Sequence, residues 1–471
     1  MPLNSAALPK QKGPQSFQER ETLRYTLIAD DKPMLNNLRN LLERVMIGKS
    51  VPKLVRWGKA TPRPLIRSLQ RDAFRKAVRY AAKHQRFFGR KLQERGIDPA
   101  RVQGPGDLRD VFTTPDDLLR FPAKDFLCRA PQTVFETTGT SGAPKRVYFT
   151  YDELEFAGRY EAAALWENGV RPGDRVVCTF DPGYWLSSWV TFLGCKRMEV
   201  FCSAVGKPTP RDLYPRLALY RYNVIIADPT WLVSLTEIAE REGIVPMKLM
   251  VAAGDRMTDV YRDYVQKVWQ APVILGYGST EAGGGLGMEC QRRDGYHLDE
   301  FNFLFEIVDP DDEGYGELVV TTLSRRTQPF IRYRMQDVVR FIDEPCSCGA
   351  PLRRISKIKG RRDEMVVMGA GNLHPEIFER VLHDVKGISE GWQVAVRQEG
   401  LHDILEFRLE LSNGTSTRWV EEAVRRNLES RYPDLWANQV CGMYKLAFRF
   451  LPASALEHRR KPKRLLDERQ N

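Results

Sequence analysis

The sequence predicts an α/β protein: a large N-terminal domain built on parallel or mixed sheets, followed by a small α+β C-terminal domain. Three observations lead there. Beyond Phe135, short β-rich runs alternate with helical stretches, the pattern of βαβ units and a parallel sheet. Around 316–322 and 338–341 the strand-like runs come closer together, which suits a smaller mixed or antiparallel sheet. After Pro375 a helix, two strands and a helix follow one another. At 471 residues the chain also exceeds what one hydrophobic core usually serves, so two or more domains are expected.

Taken in order, residues 1–65 form an N-terminal appendage. Pro and Lys dominate its start, and Leu35, Leu38, Leu41, Leu42 and Val45 then recur at helical spacing, as in a helix that docks on the main body. From 65 to 96 the pattern is again helical, with Leu69, Phe74, Val78, Ala81 and Ala82 on one face. Strands are expected at 175–180, 198–202, 223–227, 248–252 and 272–277. A linker over 358–368 runs into a new strand. Beyond it come a helix at 376–383, strands at 393–397 and 404–411, and a helix at 418–429. The main domain thus covers 66–362 and the small one 363–471, with no internal repeat.

Apolar residues at 42% and charged ones at 28% are the profile of a water-soluble globular chain. No run approaches the ~20 apolar residues that span a bilayer. Residues 1–24 are polar and lack the apolar block of a secretory signal. A cytoplasmic protein without a membrane partner is therefore expected. The net charge of +11 suits nucleic acid, an acidic surface or anionic small molecules. Part of it sits in a basic run over 458–464, and no basic stripe interleaves with aromatics, so a nucleic-acid partner is not expected. Eight cysteines are too few and too unevenly spaced for a disulfide scaffold; Cys128, Cys178, Cys195 and Cys202 fall in apolar segments and read as buried thiols.

The strongest local signal is Thr137-Thr138-Gly139-Thr140-Ser141-Gly142-Ala143-Pro144-Lys145. Glycines let backbone approach a ligand closely, and hydroxyls with exposed amides supply donors for phosphate oxygens. A solvated turn can have the same composition. It is not a Walker loop, because no Gly-Lys-Ser/Thr opens a helix.

That loop resembles the phosphate loop of the acyl-adenylate-forming superfamily, and three further motifs follow in the superfamily's order. Tyr277-Gly278-Ser279-Thr280-Glu281 resembles Tyr-Gly-x-Thr/Ser-Glu. Tyr333-Arg334-Met335-Gln336-Asp337 is similar to Tyr-Arg-Thr-Gly-Asp, and Gly360-Arg361-Arg362-Asp363-Glu364-Met365 to the hinge motif Gly-Arg-x-Asp-Asp-Met. The stretches 316–323, 329–334 and 372–375, with Arg95-Gly96-Ile97-Asp98, resemble the phenylacetate–CoA ligase-like branch. The resemblance spans about 65 to 469.

The resemblance implies a small domain that rotates about a hinge near Asp363. It implies that Thr137, Thr138, Gly139, Thr140, Ser141, Gly142 and Lys145 hold the β- and γ-phosphates of ATP, and that Tyr277, with Gly278 and Ser279, packs on the adenine. Thr280 and Glu281 would be catalytic, Glu281 holding Mg²⁺. Asp337 would accept from the ribose hydroxyls with Arg361 beside the nucleotide. Gly254 and Asp255 stand, in a loose match, where the adenine is lined. Lys461 aligns with the lysine that bridges the substrate carboxylate and α-phosphate. Arg460 replaces the usual Gly before it, and Lys463 is a second candidate. Ala370 stands where the branch has Gly, beside the thiol channel.

Cys346-Ser347-Cys348-Gly349 is a metal-knuckle pattern, and Cys290 and His297 lie upstream. Cys3His is a tetrahedral zinc set of the closed, structural kind, and some members of the branch carry a similar arrangement; a reduced thiol cluster is the alternative. Tyr184, Trp185, Trp189 and Trp231 suit either an acyl pocket for a flat acid or plain core. The expected activity is ATP-dependent activation of a carboxylic acid, an aromatic one among the candidates, with pyrophosphate release and transfer to CoA. The alternative passes the acyl group to a carrier protein, an amine or another small nucleophile. A non-catalytic nucleotide-binding scaffold is the reading from a different class. A homodimer would be unsurprising.

Overall fold

The computed structural model describes residues 48–137, 144–362, 365–369, 371–412, 414–452, 455–456 and 464–469. The expected appendage helix around Leu35–Val45, and Thr138, Gly139, Thr140, Ser141, Gly142, Asp363, Ala370, Lys461 and Lys463, lie outside them.

Helix α1 (Val51–Ala60) is capped by Ser50, whose side chain accepts from the amide of Lys53. The expected helix over 65–96 is two, α2 (Arg63–His84) and α3 (Arg86–Glu94). Gln85 separates them in an extended conformation and spends its buried amide on the carbonyls of Phe126 and Pro329. Helix α4 (Pro115–Arg120) starts with a Thr114–Asp117 capping box.

The hairpin β1 (Thr133–Glu136) and β2 (Arg146–Phe149) precedes α5 (Tyr151–Glu167). Then β3 (Arg175–Cys178), α6 (Leu186–Met198), β4 (Phe201–Ala204), α7 (Pro210–Leu219), β5 (Val224–Ala227), α8 (Pro229–Glu242), β6 (Leu249–Ala252), α9 (Asp259–Trp269) and β7 (Val273–Ser279) alternate. The strands pair in parallel in the order β7-β6-β5-β3-β4. Along them the burial alternates between two cores. Val224, Ile226, Leu249, Val251 and Ile274 face α1, α5 and α6, whereas Ile225, Met250, Val273 and Leu275 face α7, α8 and α9. Helices on both faces explain why these strands read as unbroken apolar runs.

One strand differs from expectation. Met198 ends α6, and the strand begins only at Phe201, because Glu199 takes a left-handed conformation that closes the helix. Met198 is apolar because it faces the core from the helix.

The same sheet continues antiparallel through β8 (Gly284–Glu289), β9 (Tyr296–Leu298), and then β14 (Arg354–Ile355) and β13 (Phe341–Ile342). The expected smaller sheet is antiparallel: β10 (Phe303–Val308), β11 (Gly316–Thr322), β12 (Tyr333–Val339) and β15 (Gly360–Arg361). Phe74, Val78 and Ala81 of α2 pack in one core with Leu323 and Ile331 beside it.

The hairpin β16 (Val366–Met368) and β17 (Gly371–Leu373) leads into α10 (Pro375–Leu382), β18 (Ile388–Glu399), β19 (His402–Leu411), α11 (Thr417–Arg431), α12 (Pro433–Val440), β20 (Lys445–Leu451) and β21 (Leu465–Asp467). The sheet order is β20-β19-β18-β21. Helix α12 and strands β20 and β21 go beyond the expected helix, two strands and helix. Strand β21 is a parallel edge strand on β18, directly after the basic run at 458–464. The architecture is the expected α/β one.

Candidate active site and metal cluster

Loop 137–145 is pinched at its base. Glu136 and Arg146 are paired across β1 and β2, and the Thr137 amide donates to the Lys145 carbonyl at 3.0 Å. The Thr137 hydroxyl is buried without a hydrogen-bond partner among the described residues, at the loop's root. From the other side of the loop Lys145 reaches Glu281, Nζ to Oε1 at 2.7 Å. Glu281 also accepts from the Tyr333 hydroxyl at 3.0 Å. Burial pushes the Glu281 carboxyl up, but the charge of Lys145 and the hydrogen bonds from Lys145 and Tyr333 outweigh it. The net shift is below the ordinary carboxylate range.

Strand β7 delivers the Tyr277–Glu281 turn. Gly278 has no alternative there: a Cβ on it would lie 2.4 Å from the carbonyl oxygen of Gly284 on the returning strand β8. The Ser279 hydroxyl accepts from the amide of Ala282 and tightens the turn that holds Thr280. Tyr277 is buried and donates to Asp337 Oδ2 at 2.6 Å. Register places Asp337 of β12 opposite Arg361 of β15, whose guanidinium donates to Asp337 Oδ1 at 2.6 Å. One carboxylate thus ties two of the motifs to a third.

Sequence reasoning missed Arg325, which belongs to no motif. It is buried, donates to the carbonyls of Glu281 and Tyr148, and stacks over Phe149 at 4.1 Å. Burial lowers its pKa to about 10, with Glu153 opposing the shift. It holds the Glu281 backbone against β2. The Tyr333 hydroxyl was missed too, because only the fold brings it to Glu281.

Gly254 and Asp255 follow β6. Gly254 has φ +89 and lies against Phe180. The Asp255 side chain is fully buried and faces Arg469 from the C-terminal sheet, Oδ1 to NH1 at 3.8 Å.

Cys290 follows β8, His297 lies on β9, and Cys346 and Cys348 occupy the loop between β13 and β14, which pairs with β9. Their ligand atoms all lie within 4.8 Å of one another. Cys290 Sγ is 3.7 Å from Cys346 Sγ, and Cys348 Sγ is 3.5 Å from His297 Nε2. Around a tetrahedral zinc, bond lengths near 2.3 Å to sulfur and 2.0–2.1 Å to nitrogen set these separations at roughly 3.8 and 3.6 Å. A disulfide needs ~2.05 Å between sulfurs, and Cys290, Cys346 and Cys348 are all free cysteines. Burial, with the neighbouring sulfurs, pushes the Cys290 and Cys348 thiols up, and the amides of Arg292 and Ala350, each 3.4 Å from one of these sulfurs, oppose it. Burial, with Arg354 nearby, lowers the His297 pKa to about 4, keeping the imidazole neutral and able to ligate.

No family model matches the chain. The phenylacetate–coenzyme A ligase of Thermus thermophilus is 30% identical to it over 368 residues, covering 74% of this chain and 82% of the relative. The chain belongs to the phenylacetate–CoA ligase family. The Escherichia coli phenylacetate–coenzyme A ligase is 25% identical over 369 residues, covering 75% and 84%. Among solved structures, 2-hydroxyisobutyryl-CoA ligase in complex with 2-HIB-AMP and CoA, in the thioesterification state, superposes with a TM-score of 0.74. It has 21% identity and covers 88% of this chain and 92% of that one. The same ligase in the postadenylation state with 2-HIB-AMP gives 0.62 at 21% identity, covering 88% and 91%.

In this family member the structure gathers Thr137, Lys145, Glu281, Tyr277, Asp337 and Arg361 around the β7–β8 turn and β12. Asp255 points away to the C-terminal sheet. Among the described residues no helix is long and apolar enough to cross a membrane.

Proposed function

We propose that this chain activates a carboxylic acid with ATP and passes the acyl group to CoA. What carries the reading is the meeting of Lys145 and Glu281 at the root of loop 137–145, one turn from the Tyr277–Asp337–Arg361 cluster. In the first step a carboxylate oxygen of the acid attacks the α-phosphorus and the bond to pyrophosphate breaks. In the second the CoA thiolate sulfur attacks the acyl carbonyl carbon, and AMP leaves with its oxygen. Both steps bring anions together, so positioning and cationic stabilisation are the protein's main contributions.

Loop 137–145 cradles the phosphates with Lys145 as a cation; Thr280 and Glu281 face the reacting end. Tyr277 flanks the adenine, with Gly278 and Ser279 shaping its turn, and Asp337 takes the ribose hydroxyls, exchanging its Tyr277 and Arg361 bonds in part for them. Lys461 bridges the acid and the α-phosphate. Glu281 offers a hard oxygen ligand for Mg²⁺, which would neutralise phosphate charge when bound. The Cys290–His297–Cys346–Cys348 set fits a structural Zn²⁺. The catalytic domain runs to 362, and residues from 363 form a small domain that turns about Asp363 in the cytoplasmic enzyme.

The test is pyrophosphate release with ATP, Mg²⁺ and a panel of aryl and aliphatic acids, with and without CoA. Acid-dependent release and a thioester product are expected. Release indifferent to CoA would move the acceptor to an amine or carrier protein, and silence across the panel would remove the adenylation reading.

A further inference from the structure

Several polar contacts join the parallel-sheet part of the chain to the C-terminal part. Lys207, just beyond β4, sends Nζ to Asn438 Oδ1 of α12 at 2.7 Å and to the Gly369 carbonyl at 3.4 Å. Tyr261 of α9 is fully buried and donates its hydroxyl to Asp403 Oδ1 at the start of β19, at 2.6 Å. Around these, Arg256 approaches Asp467 at 3.7 Å and His402 approaches Glu237 at 3.3 Å.

The two receiving sites are complete within the C-terminal part itself. Asn438 Nδ2 already donates to the Gly369 carbonyl at 2.8 Å, which fixes its amide with Oδ1 facing Lys207. Asp403 already accepts from Arg469 at 2.8 Å, and Arg469 also holds Asp467 at 2.8 Å. Each socket survives when the parts come apart, and each pin, an ammonium or a phenol, can be taken up by water.

We infer that Lys207 and Tyr261 are positioning residues for the thioester-forming step: two pins that hold the C-terminal part in the orientation this structure has. The inference rests on the two-step reading above. Its further support is that the chain superposes better on a ligase in its thioesterification state than on the same ligase after adenylation, 0.74 against 0.62. Gly369, one socket wall, begins the turn of the β16–β17 hairpin, so the pin at Lys207 also sets that hairpin's distance from β4.

Lys207→Met and Tyr261→Phe remove the pins and leave both sockets whole. The experiment measures the two half-reactions separately: acid-dependent ATP–pyrophosphate exchange, and single-turnover thioester formation from preformed acyl-adenylate and CoA. Exchange within about twofold of wild type, with transfer slowed roughly tenfold or more, is expected, since a charged or buried hydrogen bond is lost at one orientation only. Lys207→Arg, which keeps the cation, recovers most of the transfer rate. Equal loss in both half-reactions, or no loss in either, overturns the inference. Small-angle scattering of wild type and the double variant supplies a readout that needs no turnover. A more open variant supports the pins even if no acid is adenylated, and identical curves overturn them. Failure of the wild type to exchange pyrophosphate with any acid would instead strike the two-step reading.

Discussion

The Tyr277 hydroxyl donates a 2.6 Å hydrogen bond to Asp337 Oδ2 from a position 60 residues earlier in the chain. That bond joins the turn after β7 to the second strand-borne motif, and Arg361 takes the other carboxylate oxygen. Asp337→Asn keeps the shape and loses the charge. Hydrogen bonds to charged groups are worth roughly 1.5–3 kcal/mol, so kcat/KM for ATP should fall about ten- to a hundredfold in pyrophosphate release. Tyr277→Phe keeps the ring proposed to flank the base and should cost far less. Full activity in the Asn variant would take Asp337 out of the nucleotide site.

Glu281 gives a pH-dependent prediction. Its folded pKa lies below the ordinary carboxylate value because Lys145 and Tyr333 favour the ionised form over the cost of burial. A depressed carboxylate contributes stability that is present above the unfolded pKa and lost as pH falls through the folded one. Glu281→Gln should therefore lower the urea midpoint at neutral pH, and the gap to wild type should close in acid. The same variant should need more Mg²⁺ for half-maximal pyrophosphate release. A gap that widened in acid would contradict the ion pair.

Gly278 tests the backbone of the turn. A Cβ there would meet the Gly284 carbonyl at 2.4 Å, and backbone on a paired strand cannot step aside as a side chain can. Gly278→Ala should cost pyrophosphate release at least as much as Asp337→Asn, since Tyr277 and Glu281 sit on either side of the displaced bond. An Ala variant with wild-type kinetics would mean that β8 yields.

The motifs were legible because each keeps its residues within a few positions of one another, and the fold needs only to bring four short segments together. What escaped were partners recruited from afar. Arg325 carries no motif, since its partners are the Glu281 and Tyr148 carbonyls and the Phe149 ring. The meeting of Asp255 with Arg469 depends on where β21 ends, and β21 follows directly on a basic run. The pins Lys207 and Tyr261 carry no motif, since their partners are supplied by α12 and β19. The boundary at 198 failed for a local reason: a buried helical Met and a strand residue are equally apolar, and only the left-handed Glu199 separates them.

The Cys290–His297–Cys346–Cys348 cluster predicts one zinc per chain by elemental analysis of protein purified without added metal. Strong chelation, or Cys348→Ser, should lower thermal stability and speed proteolysis near β13–β14, because the loop between these strands has little apolar core of its own. Rapid reaction of all three thiols with a thiol reagent in the native protein, together with absent zinc, would leave a reduced thiol cluster.

Glu161 on α5 is a buried carboxyl with no hydrogen bond or ion pair among the described residues. It is wedged against Gly194 of α6 and Gly285 of β8, where added Cβ atoms would lie 3.0 Å from its Cγ and 3.7 Å from its Oε2. Burial pushes its pKa up to about 7. Between the ordinary carboxylate range and that value the native state binds the extra proton, so stability falls as pH rises through this window and stays low above it. Glu161→Gln keeps the volume and removes the ionisation. Its advantage over wild type should be on the order of 3 kcal/mol at pH 8 and below about 1 kcal/mol at pH 5. Urea midpoints at the two pH values decide it. An equal effect at both would mean that Glu161 stays neutral throughout, or has a partner that burial alone does not reveal.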